Sequence, residues 1–210
     1  MISIDDASDS QYLLLATKNG IVKKTKREEF KNINKSGLIA IGLREDDELI
    51  DVRVTDGSED VILVTKGGMS IRFDENDIRH MGRTAMGVKG ITLNKNDKVV
   101  SMNLCSEGTD LLVVSENGFG KRTSIEEYRS QIRAGKGIKT YNIADKTGDI
   151  VGAQMVNEDD EMMIINSDGV LIRLRVNEIS LFGRVTSGVK LMKTNDEVNI
   201  VSIAKIEMEE

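Results

Sequence analysis

The sequence repeats itself four times with a period of about 50 residues. The most similar stretches of the four copies read YLLLATKNGIVKKT, DVILVTKGGMSIRF, DLLVVSENGFGKRT and EMMIINSDGVLIRL. Two glycines recur in every copy, first Gly20, Gly68, Gly118 and Gly169, then Gly37, Gly87, Gly137 and Gly188. Self-similarity at this period indicates a solenoid, propeller or other blade array, in which each copy buries its apolar faces against its neighbours. We therefore expect function in a surface that the copies share.

Each copy contains four segments that are typical of strands. The first is a short apolar run (LLLAT, VILVT, LLVVS, MMIIN), which predicts a strand buried on both faces. NG, GG, NG or DG follows and predicts a hairpin with a type I′ turn. A return strand, a run after the second glycine and a fourth run complete the copy. About sixteen strands in an all-β blade array are predicted.

The repeats also define the domain organisation. We expect one domain over residues 12–206, with repeats at 12–59, 60–108, 109–159 and 160–206. Residues 1–11 are a polar leader, and residues 207–210 are an acidic tail.

Composition excludes several classes of function. The sequence has no apolar run near 18 residues, and the acidic leader lacks the features of a signal peptide, so we expect a cytoplasmic protein without a membrane partner. Cys105 is the only cysteine and is predicted to be a buried strand thiol. His80 is the only histidine, which argues against a zinc site or a Ser-His-Asp triad. No cofactor is predicted.

The net charge of −6 comes from the two ends of the chain. Its six excess acids are Asp5, Asp6, Asp9, Glu207, Glu209 and Glu210. Between residues 12 and 206 the chain has 29 basic and 29 acidic residues. A neutral body can still present a basic stripe when the two signs are segregated.

Such segregation occurs in the four connections around the second glycine of each copy, residues 30–44, 79–91, 128–141 and 180–193. Together they hold 13 lysines and arginines and no acidic residue. Because repeats place equivalent residues on equivalent edges, these connections should form one continuous surface, which we call the basic perimeter.

Lysines and arginines beside glycines suit phosphate oxygens better than base edges. Only 3% of the chain is aromatic, which argues against a binder of single strands built on base stacking. Duplex DNA, which bends around a curved rim, is therefore the predicted partner. The alternative is that the basic connections only balance the acidic turns of neighbouring blades.

The chain resembles the C-terminal domain of the DNA gyrase A subunit. The resemblance runs through all four copies in order, from about residue 12 to residue 206, and includes the strings LLLATKNGIVKKT, ILVTKGGMSIRF, MGRTAMGVKGI, LLVVSENGFGKRTSIEEYR and GVKLMK. It implies a β-pinwheel, a propeller-like disc whose blades exchange strands and whose basic perimeter wraps DNA. The family usually has six blades, and this chain is similar to the last four of them. We therefore expect four blades of four strands each.

The family's signature heptapeptide, QRRGGKG or close to it, belongs to a blade without a counterpart here. The nearest string is QIRAGKG, which keeps Gln131, Arg133, Gly135, Lys136 and Gly137. Ile132 stands in place of an arginine and Ala134 in place of a glycine. The resemblance to the heptapeptide is thus partial, and binding of DNA along the perimeter is what it still implies.

The resemblance also implies partners and a division of labour. The partners would be duplex DNA, the gyrase B subunit, and the remainder of the gyrase A subunit, in a bacterial cytoplasm, and the chain itself would be a monomer. None of Tyr12, Tyr128 and Tyr141 matches the context of the parent enzyme's catalytic tyrosine, so the chain alone should not cleave DNA. Alternatives are the corresponding domain of topoisomerase IV, a protein-interaction scaffold and, more weakly, an enzymatic propeller.

Ten residues are predicted to contact phosphate without reading bases. They are Lys121, Arg122, Arg133, Lys136 and Lys139 in the third copy, Arg79, Arg83 and Lys89 in the second, and Arg184 and Lys190 in the fourth.

Overall fold

The computed structural model describes residues 11–33, 35, 37–194 and 197–206. These residues form fifteen β-strands and five short 3₁₀ helices. The strands are β1 (Tyr12–Thr17), β2 (Ile21–Lys26), β3 (Leu49–Thr55), β4 (Asp60–Thr65), β5 (Met69–Asp74), β6 (Val88–Lys89), β7 (Val99–Leu104), β8 (Asp110–Ser115), β9 (Phe119–Ser124), β10 (Ile138–Lys139), β11 (Ile150–Val156), β12 (Glu161–Asn166), β13 (Leu171–Arg175), β14 (Val189–Lys190) and β15 (Ile200–Ile206). The 3₁₀ helices are Arg27–Phe30, Glu75–Asp77, Cys105–Glu107, Ile125–Glu127 and Val176–Glu178.

The strands form four antiparallel sheets, one for each repeat. Their orders are β3-β1-β2-β6, β7-β4-β5-β10, β11-β8-β9-β14 and β15-β12-β13. Strands β3, β7, β11 and β15 contact one another from sheet to sheet, so they are the inner strands of the array. Strands β6, β10 and β14 lie at the opposite, outer edge. The all-β blade architecture is thus confirmed.

The outer strand of a sheet is supplied by the repeat that follows. β6 belongs to the second repeat but pairs with β2 of the first, with Val22 opposite Val88. β10 likewise pairs with β5, and β14 with β9. We call the segments that supply these strands donors. Each donor fixes a basic connection against the preceding blade.

The last sheet and the first donor differ from this pattern. Within the described residues the last sheet contains three strands, and β13 is its outer edge. Residues 37–43, which correspond to the donors of the other repeats, form no strand. The run in the first repeat was expected to be a strand, but no described blade precedes it to provide a pairing edge.

The hairpin between the first two strands of each repeat turns through a glycine with positive φ. Gly20 has a φ of 80°, and its N–H donates to the carbonyl of Thr17 at 3.0 Å. Asn19 is not among the described non-glycine residues with positive φ. A type I′ turn needs positive φ at both central residues, so the turn is instead a tight turn closed by a left-handed glycine. The prediction of a type I′ turn was wrong.

Three hydrophobic cores lie between successive sheets. Alternate residues of one strand face opposite neighbours, as in β4, where Val61 packs toward the first sheet and Ile62 toward the third. A fourth, smaller cluster of Leu13, Leu15 and Ile41 covers the free face of the first sheet. This arrangement explains the continuous apolar runs, because central strands are buried on both faces.

Cys105 lies just after the end of β7 and begins a 3₁₀ helix, where it is half-buried. Burial raises the pKa of its thiol to about 12, so the thiolate that reacts is disfavoured. The predicted leader and tail lie outside the described residues, except for Gln11, whose N–H donates to the carbonyl of Thr55 at 2.9 Å.

Candidate nucleic-acid interface

Three of the connections run along the outer edge of the array. Each starts after a 3₁₀ helix and ends in the donor strand that pairs with the preceding sheet. Additional main-chain bonds hold each connection to that sheet: Met81 N–H donates to the Lys24 carbonyl at 2.9 Å, and Gln131 N–H donates to the Arg72 carbonyl at 2.8 Å. Backbone hydrogen bonds therefore fix this part of the basic perimeter to the blades.

Three arginines link successive connections. Arg133 Nη1 donates to the Lys89 carbonyl and Arg184 Nη1 to the Lys139 carbonyl, each at 3.0 Å, and Arg83 Nη1 reaches the Ile39 carbonyl at 3.5 Å. Each arginine thus contacts the connection of the preceding repeat. The three side chains are half-buried. Their guanidinium groups have further N–H groups that can donate hydrogen bonds to a ligand at the surface.

The predicted lysines of the donors lie at the surface. Lys89, Lys136, Lys139 and Lys190 are exposed, as is Arg79 at the start of its connection. Lys139 Nζ donates to Asn142 Oδ1 at 3.2 Å, and Lys190 Nζ donates to the Asn117 carbonyl at 2.9 Å. Such exposed cations on a fixed backbone provide positive charge at regular intervals.

Two predicted residues are not on this surface. Lys121 is fully buried, and its Nζ donates to the carbonyls of Gly183 and Arg184 at 2.6 and 2.7 Å. Arg122 is 5% exposed and donates through Nη1 to Asp110 Oδ2 and through Nε to the Ile179 carbonyl, both at 2.8 Å. The choice of Lys121 and Arg122 as surface contacts is therefore corrected.

The reason for the correction is strand exchange. Both residues lie on β9, which would be an outer strand if the third repeat formed a sheet by itself. The donor of the fourth repeat covers β9, so the two cations hold that donor in place. Burial lowers the pKa of Lys121 to about 8, and the nearby charge of Arg184 also lowers it.

The same arrangement recurs at the first junction. Lys23 Nζ donates to the carbonyls of Ala40 and Arg83, and burial lowers its pKa to about 8. At the second junction Ile71 stands at the corresponding position and is buried. Each of these three connections thus lies over a buried lysine or isoleucine. Sequence reasoning missed this supporting role, although the strings IVKKT and GKRT align Lys23 with Lys121.

The string that resembles the family heptapeptide forms backbone hydrogen bonds with the second repeat. Ala134 has a φ of 68°, and its N–H donates to the Gly90 carbonyl at 2.6 Å. The Gly135 carbonyl accepts a hydrogen bond of 2.8 Å from Thr92 N–H. Ala134 thus has a backbone conformation that favours glycine, at the position where the family string has one. Lys136 projects from this segment and is exposed.

Sequence reasoning also left out five exposed cations of the basic perimeter. Arg129 corresponds to the predicted Arg79 by its position after the 3₁₀ helix, so alignment of the repeats could have found it. The other four are Lys31, Lys35, Arg44 and Lys193.

Other chemistry has little support in the described part of the chain. Among residues 11–33, 35, 37–194 and 197–206, no group of three or more His, Cys, Asp or Glu side chains is placed to hold a metal ion. Tyr128 is buried and shares a hydrogen bond of 2.6 Å with Thr140 Oγ1, and burial raises its pKa to about 12. None of the helices described here is long and apolar enough to cross a membrane.

A family model described as the DNA gyrase C-terminal domain, beta-propeller, matches residues 11–56, 59–106, 109–157 and 160–207. The chain belongs to this family. All four repeats are matched, so membership in the DNA gyrase C-terminal domain family extends over nearly the whole sequence.

Curated relatives of this gyrase-type domain are DNA gyrase A subunits. The subunit of Halalkalibacterium halodurans is 57% identical over 210 residues, which are 100% of this chain and 25% of the relative. That of Clostridium acetobutylicum is 50% identical over 206 residues, 98% of this chain and 25% of the relative. The chain therefore spans about a quarter of the length of these relatives.

Two solved structures share the fold. A DNA gyrase A C-terminal domain has a TM-score of 0.86 and 28% identity, and the match covers 98% of this chain and 73% of that one. The C-terminal domain of a DNA topoisomerase IV has a TM-score of 0.90 and 27% identity, with coverage of 98% and 64%. The fold is thus common to both enzymes, whereas the similar curated sequences above are gyrase subunits.

Proposed function

We propose that this chain binds duplex DNA along the basic perimeter, without sequence preference, and bends it. The observation that carries the proposal is the regular placement of exposed cations on consecutive blades, linked by Arg83, Arg133 and Arg184. Exposed cations on a fixed backbone suit phosphates, whose positions do not depend on sequence. DNA that follows a curved rim must bend.

Within a whole gyrase this activity would serve supercoiling. The chain would act as the C-terminal domain of the A subunit, with the B subunit, together with the rest of the A subunit, as partners in the bacterial cytoplasm. The ATP-dependent cleavage and passage of DNA would belong to those other parts. The buried hydroxyl of Tyr128 supports a structural role for that residue.

The test is the affinity of the chain for a duplex of about 40 base pairs, measured by fluorescence anisotropy at several salt concentrations. We expect a steep loss of affinity with salt, with a slope of log K against log salt that changes by about 0.9 for each phosphate contact. The double variant Arg133→Glu, Lys136→Glu should bind all sequences more weakly and show a shallower slope.

The matched control is Lys95→Glu, Lys98→Glu, which makes the same charge change at two exposed lysines outside the basic perimeter. This control should keep most of the affinity and the slope of the unchanged chain. Equal losses in both double variants would indicate a general charge effect and contradict the proposed interface.

A further inference from the structure

Two arginines of the basic perimeter have a buried lysine beneath their backbone. Lys121 is fully buried, and its Nζ donates to the Arg184 carbonyl at 2.7 Å. Lys23 is also fully buried, and its Nζ donates to the Arg83 carbonyl. In both cases the lysine lies in one blade and the arginine lies in the repeat that follows. One blade thus holds the arginine that the next repeat supplies.

The backbone of Arg184 is held at both of its polar groups. Its N–H donates to Glu127 Oε2 at 3.1 Å, and its carbonyl accepts from Lys121. The side chain is 29% exposed and extends to the preceding connection, where Nη1 donates to the Lys139 carbonyl at 3.0 Å. Lys121 therefore helps to fix the point from which the guanidinium group reaches the surface.

Closing a junction does not by itself require a lysine. At the second junction Ile71 occupies the corresponding position and is buried. The connection above it follows a different path: Ala134 has a φ of 68°, and its carbonyl accepts from Thr92 Oγ1 at 2.7 Å. Arg133 is held there through its own side chain, whose Nε donates to the Asp77 carbonyl at 2.9 Å. Because burial of an ammonium group is unfavourable, a lysine where isoleucine suffices indicates a role beyond packing.

We propose that Lys121 and Lys23 are positioning residues for DNA binding, which hold Arg184 and Arg83 in the orientation that contacts phosphate. The proposal rests on the proposed function, since it concerns two arginines of the same interface. Neither lysine would touch the DNA, because each is buried beneath its connection. A guanidinium group that is oriented before binding loses less conformational freedom when a phosphate binds, so its contact contributes more to the affinity.

The charges around Lys121 couple it to a phosphate bound at Arg184. Burial lowers the pKa of Lys121 to about 8, Glu127 raises it, and the positive charge of Arg184 lowers it. The Tyr141 ring lies 5.7 Å from Nζ, and burial raises the pKa of its hydroxyl. A phosphate at Arg184 would offset the charge of that arginine and so raise the pKa of Lys121. Binding of DNA then takes up a proton, and the affinity should fall as the pH rises above about 8.

A double-mutant cycle tests whether Lys121 acts through Arg184. The variants are Lys121→Ile, Arg184→Gln and the two together, each measured for duplex affinity by fluorescence anisotropy at pH 7. Lys121→Ile keeps every exposed cation, yet it should weaken binding by about 2- to 10-fold, the range expected for coupled residues in one network. In the Arg184→Gln background the same change should weaken binding no further.

Lys98→Ile is the matched control, because Lys98 is exposed and lies outside the basic perimeter. It removes the same unit of charge, so a general effect of charge on the affinity appears here as well. Its effect should be smaller than that of Lys121→Ile and should be equal with and without Arg184. Thermal unfolding verifies that each variant is folded, and Lys23→Ile with Arg83→Gln repeats the cycle at the first junction.

The pH dependence separates the positioning role from packing alone. Between pH 7.5 and 9.5, the affinity of the unchanged chain for the duplex should fall more steeply than that of Lys121→Ile. Parallel pH curves would overturn the proposal, because a lysine that holds Arg184 must respond to the charge bound there.

Two results of the cycle would also overturn it. One is an affinity of folded Lys121→Ile equal to that of the unchanged chain, and the other is an equal loss with and without Arg184. If only these results fail, binding along the basic perimeter still stands. Failure of the unchanged chain to bind the duplex would contradict the proposed function and, with it, the positioning role.

Discussion

Basic residues have two different roles in this protein: some support the fold from buried positions, and others face solvent. Arg122 and Asp110 form a buried ion pair at 2.8 Å beneath a connection, whereas Arg173, at the corresponding position of the last repeat, has a side chain that is 58% exposed beside Glu161. The same residue type thus supports the fold in one repeat and faces solvent in another. The difference is whether a donor covers the strand.

Replacing Arg122 should therefore be far more damaging than replacing Arg173. Arg122→Met would leave the carboxylate of Asp110 buried without its partner, and we expect the free energy of unfolding to fall by about 3–5 kcal/mol. Arg173→Met should lower it by less than about 1 kcal/mol, because its ion pair is exposed. Urea denaturation measures both, and equal costs would contradict the structural role of Arg122.

Lys121 gives a pH dependence of stability whose sign follows from its lowered pKa. Between about pH 8 and its ordinary pKa, the folded protein has lost this proton while the unfolded chain still binds it. Unfolding then takes up a proton, so the free energy of unfolding rises with pH. Below about pH 8 both states are charged, and this contribution is constant.

Lys121→Ile isolates the effect, because Ile71 occupies the corresponding position of the second junction. Between pH 8 and 10, the free energy of unfolding of the unchanged chain should rise relative to that of the variant by up to about 1 kcal/mol per pH unit. Parallel curves for the two proteins would show that Lys121 does not titrate in this range.

At the scale of elements, the two-residue donors β6, β10 and β14 are the parts that join the blades. They are short, yet each follows directly on a glycine with positive φ that lies against the backbone of the strand with which it pairs, β2, β5 or β9. No other residue fits there without loss, because the site requires both the left-handed conformation and the absence of a Cβ. The glycine period seen in the sequence is therefore a requirement of the junctions.

Gly137→Ala should weaken the junction between the second and third blades. The strain of a positive φ costs about 1–3 kcal/mol, and the new Cβ, 2.1 Å from the Ser70 carbonyl oxygen, adds to this cost. Gly82→Ala, in open space, should change stability by less than about 0.5 kcal/mol. Thermal unfolding of the two variants makes the comparison, and similar melting temperatures would contradict the required close approach.

At the scale of the whole molecule, strand exchange makes the basic perimeter continuous. Each of the last three connections belongs to one repeat, is fixed to the preceding blade and is linked by an arginine to the preceding connection. Bound DNA would then contact several blades at once. Its affinity would depend on the number of contacts along the path.

Charge reversal at equivalent lysines should show this continuity. Lys89→Glu, Lys139→Glu and Lys190→Glu should each weaken duplex binding and reduce the salt slope by about 0.9, and the triple variant should combine the three reductions. Anisotropy titrations at several salt concentrations provide the slopes. If two of the single variants bind like the unchanged chain, the DNA follows only part of the perimeter.

The sequence by itself determined the number of blades, the hairpins and the segregation of positive charge. Period, apolar runs and turn glycines are local features, so they can be identified without the tertiary structure. They placed Lys89, Lys136 and Lys139 in exposed connections, where the structure also has them. They did not indicate the turn type, because a glycine at the end of a hairpin fits more than one turn.

Only the tertiary structure decided which strand lies at which edge. Alternation along a strand shows which residues share a face, but it does not show that the outer strand of a blade comes from the next repeat. The family resemblance implied that blades exchange strands, and the structure identifies β6, β10 and β14 as the exchanged strands. That exchange buries Lys121 and Arg122 under a donor, and it leaves the corresponding strand of the last repeat open. Whether a cation faces solvent or a backbone carbonyl therefore depends on a contact between residues about 60 positions apart, which no local pattern encodes.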